Sequence, residues 1–85
     1  MAASRSVRHV AYGRALRQLR AERSLSQEAL AHLADLDRTY VSGIERGERN
    51  PSLESIFKLT DALEVRLSEV ATLAEELLER CKDFR

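Results

Sequence analysis

The stretch that decides the fold is QEALAHLADLDRTYVSGIER, residues 27–46. Ser26, just before it, carries the hydroxyl of a good N-cap, and Glu28 puts a carboxylate in the first turn, where the helix dipole favours negative charge. Leu30, Leu33 and Ala34 then recur at helical spacing as an inward face, and the pattern stops at Asp35-Leu36. Asp37 is a second N-cap, and the helix it opens turns Val41 and Ile44 inward. Gly47 closes that helix as its C′ residue. Two helices of about eight residues joined by so short a turn cross steeply. Their backbones approach at Ala31, where only a small side chain fits. Leu30, Ala34, Leu36, Val41 and Ile44 wedge between them and the remaining core. One turn residue must be left-handed, a conformation cheapest for Gly and tolerated by Asp, and Asp35 stands there.

Working outward, Val10, Ala11, Ala15, Leu16 and Leu19 form the stripe of a first helix from Val7 to about Arg23-Ser24, with arginines on its other face. Residues 1–6, MAASRS, are expected to be a flexible N-terminal arm. Beyond Gly47, Glu48 to Pro51 is a polar loop. Ser52 caps a fourth helix with Leu53, Ile56, Phe57, Leu59, Ala62 and Leu63 as its apolar face. Ser68 is expected to cap a fifth, whose Val70, Leu73, Ala74, Leu77, Leu78 and Cys81 recur at three- and four-residue spacing to about residue 82. The fold class expected is all-α, a compact five-helix bundle forming one domain over residues 7–85.

Composition agrees. The chain of 85 residues is 44% hydrophobic and 33% charged, too apolar for disorder. Three Gly, one Pro and no Trp argue against a turn-rich β fold. No apolar run nears the ~20 residues that span a bilayer, and the arginine-bearing start lacks the apolar block of a signal peptide. A single cysteine, Cys81, cannot form an internal disulfide, which points to the cytoplasm. Together with His9 and His32 it cannot build a structural zinc site, so neither metal nor cofactor is expected. No nucleophile–base pair, metal-ligand spacing or Gly-rich phosphate loop points to an enzyme.

The net charge of zero hides an uneven distribution. Residues 1–23 hold six Arg against Glu22 alone, while residues 68–85 hold five acids against three bases. The front of the chain can offer a polyanion a basic surface, but a solvated arginine face fits equally well.

The spacing of 27–46 is that of a helix-turn-helix, whose second helix lies in the DNA major groove. Val41 and Ile44 already supply its inward face, so Arg38, Thr39, Tyr40, Ser42 and Gly43 are free to face outward. Arg38 has the fork to bond guanine O6 and N7, and Thr39 can bond a base or touch a thymine methyl. Tyr40 and Ser42 suit phosphates, which position without specifying, and Gly43 leaves room for the groove wall. The bland alternative is a solvated helix face.

The stretch QEALAHLADLDRTYVSGIERGERNPSLESIFKLTDAL resembles the helix-turn-helix family of phage repressors and Cro, over roughly residues 10–75. The Leu-Ser-Gln entry at 25–27, Ala31, the Ile44-Glu45-Arg46-Gly47 exit and Pro51-Ser52 carry the likeness. Within that family, LDRTYVSGIERGERNPS looks most like the small controller proteins of restriction–modification systems. Asp35 departs from the usual Gly. The resemblance implies a lambda repressor-like domain that binds double-stranded DNA as a homodimer and regulates transcription. It implies backbone contacts from Ser26, Gln27, Arg46, Arg49, Asn50 and Ser52, although Ser26 serves equally as a plain cap. It pairs Glu45 with Arg20, a structural ion pair rather than a DNA contact. The dimer is expected through the fifth helix, with the fourth as an optional contributor and Leu67, Val70, Leu73, Ala74 and Leu77 as its candidate residues, although the same stripe could simply cover the core. A second function class stays open: an antitoxin-like or adaptor module that keeps the helix-turn-helix shape and binds a protein.

Overall fold

The computed structural model describes residues 6–83, and the side chains of residues 6–80. The remaining residues of the expected arm, 1–5, and the Cys81 side chain lie outside it. Five helices follow in order: α1 (Val7–Glu22), α2 (Gln27–Ala34), α3 (Arg38–Glu45), α4 (Leu53–Leu63) and α5 (Leu67–Asp83), with no strand among the described residues.

Three helices start on serine caps. The Ser6, Ser26 and Ser52 hydroxyls accept from the N–H groups of Arg8, Ala29 and Ser55 at 3.2, 3.0 and 3.1 Å. Ser6 is thus the N-cap of α1. α5 starts differently from the expectation at Ser68. Glu64 ends α4 in the left-handed conformation (φ 59°), so the chain can re-enter a helix by Leu67. The Arg66 N–H then donates to Glu69 Oε1 at 2.9 Å, and Ser68 falls inside the first turn.

Leu16 of α1, Leu30, Ala31 and Ala34 of α2, Val41 and Ile44 of α3, and Leu59 and Leu63 of α4 form one buried cluster. α1 packs against α5 on one side and α3 on the other, while α2 sits against α3 and α4. Leu33, Leu53 and Phe57, expected on inward faces, are exposed instead. On α2 the inward face is set by Leu30, Ala31 and Ala34, which turns Leu33 to solvent at 58% exposure. On α4 it runs through Ser55, Leu59 and Leu63, which leaves Leu53, at 64%, and Phe57 on the flank. Val70, expected at a dimer surface, is fully buried within the chain itself. The hydroxyls of buried Ser55 and Thr60 are bonded locally, Ser55 accepting from Ser52 and Thr60 donating to the Phe57 carbonyl. Among the described residues, no helix is long and apolar enough to cross a membrane.

Candidate nucleic-acid interface

The angle between α2 and α3 is set by Asp35, which takes the expected left-handed conformation (φ 57°, ψ 47°). Its N–H and that of Leu36 donate back to His32 O and Ala31 O, at 3.2 and 2.9 Å, so both of these turn amides are paired. Ala31 is buried at the crossing, as its size requires.

α3 is then clamped to α1. Gly13 makes the close approach possible, since a Cβ there would lie 2.3 Å from the Ile44 carbonyl oxygen and 2.7 Å from that of Glu45. Arg20 grips Glu45 with two bonds, Nε to Oε2 at 2.7 Å and Nη2 to Oε1 at 3.0 Å, and its Nη1 donates to Leu25 O at 2.7 Å. The Gln27 amide adds a third donor to Glu45 Oε1 at 2.9 Å. Gln27, expected at a phosphate, thus has its side-chain nitrogen turned to the ion pair. Gly47, left-handed at φ 76°, ends α3 against Val10, whose Cγ2 would stand 2.8 Å from any Cβ added there.

With its inner side fixed, α3 turns Arg38 and Thr39 outward, both exposed. Thr39 donates its hydroxyl proton to Asp37. Tyr40 is half-buried, with Arg49 above its ring at 6.0 Å from the centroid and its Oη accepting from the Ser52 N–H at 3.3 Å. Ser42 accepts from Arg46, whose Nε is 3.0 Å from Glu48 Oε1. Gly43 is buried beneath the Arg49 side chain, so its small size makes room for Arg49 and not for a groove wall. These contacts bring Tyr40, Arg49 and Ser52 together, and likewise Ser42 with Arg46. Ser26, Asn50 and Arg38 stand exposed outside them.

Sequence reasoning missed Gly13, the Gln27–Glu45 bond and the Thr39–Asp37 bond. A glycine inside an otherwise helical pattern was the available signal for the first. The Gln27 bond joins residues that only the tertiary fold brings together.

Two further features adjoin the site. Tyr12, on α1, has a buried hydroxyl with no hydrogen-bond partner. Burial first, and the nearby Tyr40 second, push its pKa from 10.0 up to about 12. Of the residues expected at a dimer surface, Leu67 is exposed and Leu73, Ala74 and Leu77 are half-buried.

The helix-turn-helix family model matches residues 16–70, and the chain belongs to this family. Among its relatives is the control protein C.MunI of a Mycoplasma species, 47% identical over 62 residues, covering 72% of this chain and 84% of the relative. The crystal structure of the restriction–modification controller protein C.AhdI from Aeromonas hydrophila is similar at a TM-score of 0.72. It shares 52% identity and covers 73% of this chain and 94% of that one. The wild-type controller protein C.Esp1396I superposes at a TM-score of 0.76 with 35% identity, over 86% of this chain and 97% of its own.

Proposed function

We propose that this chain is a sequence-specific, DNA-binding transcriptional regulator of the restriction–modification controller type. It acts in the cytoplasm as a homodimer on a (pseudo)palindromic operator. The observation that carries the reading is the exposed pair Arg38 and Thr39 on a helix whose opposite side is fixed by Val41, Ile44 and buried Glu45. A rigid helix with a free polar flank at its N-terminal end is what major-groove reading requires. Arg38 reads guanine and Thr39 a neighbouring base. Ser26, Tyr40, Ser42, Arg46, Arg49, Asn50 and Ser52 hold the phosphates on either side, while the Gln27 side chain stays on Glu45. C.Esp1396I has also been solved with a consecutive Arg, Thr and Tyr replaced one at a time, and Arg38-Thr39-Tyr40 is the one such run in this sequence.

The second copy covers the exposed Leu53 and Phe57 flank of α4 and Leu67 at the start of α5. Selection of bound duplexes from a random pool tests the whole reading. A palindromic consensus with half-sites one turn apart, ~34 Å, is the expected result. Binding to the consensus should fall steeply with salt, because each phosphate contact releases counterions.

The exposed Leu33 and Leu53 favour a second reading, an adaptor that docks another protein. A chain that stays monomeric and enriches no DNA sequence would point to it.

A further inference from the structure

Asp37 holds the N-cap position of α3 with the extended backbone of a cap (φ −73°, ψ 139°), yet its carboxylate makes no capping bond to a backbone N–H of the helix. The serine caps of α1, α2 and α4 all make that bond. The Asp37 carboxylate instead accepts the proton of Thr39, one residue past Arg38 on the exposed flank.

A threonine hydroxyl has one proton to donate and two lone pairs that accept. With the proton committed to Asp37, Thr39 meets a ligand as an acceptor carrying a γ-methyl. In the major groove an A·T pair presents an N6 amino donor and a thymine methyl, which match both capacities. Guanine presents only the N7 and O6 acceptors, for which Thr39 has no free proton. When A·T is exchanged for G·C, the N6 donor is replaced by the O6 acceptor, and the remaining donor, cytosine N4, stands on the other strand where thymine O4 was.

We propose that Asp37 is a specificity-determining positioning residue: by holding the Thr39 proton, it makes Thr39 a reader of A·T against G·C. This rests on the DNA-binding reading above and deepens it by naming the base class at one position.

The test uses the full chain and a consensus duplex that the wild-type protein selects from a random pool, with every base pair changed in turn. The variants are D37N, D37G, T39V and the D37G/T39V double. At one base pair the wild type should prefer A·T over G·C by about tenfold. T39V, which keeps a methyl and loses the hydroxyl, should lose that preference. D37G should lose it too, and the double variant should lose no more. D37N keeps an accepting amide oxygen and should keep the preference. Both neutral variants should bind every duplex somewhat more tightly, because a carboxylate near phosphates is gone. Gly is a tolerated N-cap and Asp37 makes no capping bond, so D37G should fold. Retained discrimination at the guanine read by Arg38 confirms that α3 has formed.

If D37G keeps an A·T preference that T39V loses, the role of Asp37 is refuted while DNA reading stands. If T39V changes nothing, Thr39 does not read at all and the proposal falls with it. Should the wild type enrich no sequence, both the proposal and the reading beneath it fail.

Discussion

Arg20 and Glu45 lock α1 to the last residue of α3 through two parallel bonds of 2.7 and 3.0 Å, and the two partners are unequally exposed. The Arg20 side chain keeps 14% of its surface in solvent and the Glu45 side chain 2%. Removing the arginine strands a buried carboxylate with only the Gln27 amide for company, whereas removing the negative charge leaves a guanidinium that still holds Leu25 O and reaches water. Arg20→Ala should therefore cost about 3–5 kcal/mol of unfolding free energy, and Glu45→Gln distinctly less. Chemical denaturation of both variants decides it, and equal losses would contradict this account of the asymmetry.

The helices around that pair were legible because their signals are local or periodic, whereas the pair itself joins residues 25 apart and was legible only through the family resemblance. Serine caps, a short apolar stripe and an Asp able to turn left-handed stand beside one another in the sequence, and Ser26, Ser52, Asp35 and Gly47 all take the conformations expected of them. Short helices were harder to read in detail. An eight-residue helix has just over two turns, so Leu33 fits an apolar face on paper although the crossing at Ala31 turns it outward. Phe57 and Leu53 were misplaced for the same reason, since Ser55, a polar residue, sits on the true inward face of α4. The choice between partners was least visible. Asp37 could cap its helix or bind Thr39, and Gln27 could meet a phosphate or Glu45, and sequence spacing permits either.

Tyr12 offers a prediction about alkaline stability. Its hydroxyl is buried without a partner and its pKa is raised to about 12, so the folded chain holds a proton that the unfolded chain releases near 10.0. Stability from this group is full below pH 10 and is lost as pH rises from 10 to 12, by about 1.4 kcal/mol per unit at most. Tyr12→Phe removes both the titration and the unpaired hydroxyl. Denaturant midpoints at pH 7 and pH 11 should show the variant equal to or above the wild type at pH 7, and clearly above it at pH 11. A variant as sensitive to alkali as the wild type would place the titrating group elsewhere.

Arg46 is engaged by Ser42 and Glu48 on the surface proposed to meet phosphates, so DNA must draw it away from a carboxylate. The pair is exposed, and its exchange for a phosphate should alter affinity only modestly. Glu48→Gln should strengthen binding to every duplex by a few-fold at low salt. Arg46→Ala should weaken all sequences alike and reduce the salt slope by about one. Fluorescence anisotropy titrations across a salt series read both effects. A sequence-dependent change on either substitution would mean that Arg46 touches bases.

The position of Val70 separates two ways in which a substitution could abolish a dimer. Val70 is sealed within the chain, so Val70→Asp buries an unpaired carboxylate and should unfold the protomer. Leu53 and Phe57 sit four residues apart on one flank of α4, exposed in the single chain, so Leu53→Glu and Phe57→Glu should leave the helices and the melting of the monomer intact. If that flank meets a second copy, each should weaken self-association roughly tenfold or more, because a charge then enters an apolar contact. Sedimentation at micromolar concentration, run beside circular dichroism, distinguishes folded monomer from unfolded chain. Leu73 and Leu77 supply the contrast, being half-buried along α5. Were Leu77→Glu to give a folded monomer while Phe57→Glu remained a dimer, the contact would run along α5 and the α4 flank would be free for another partner.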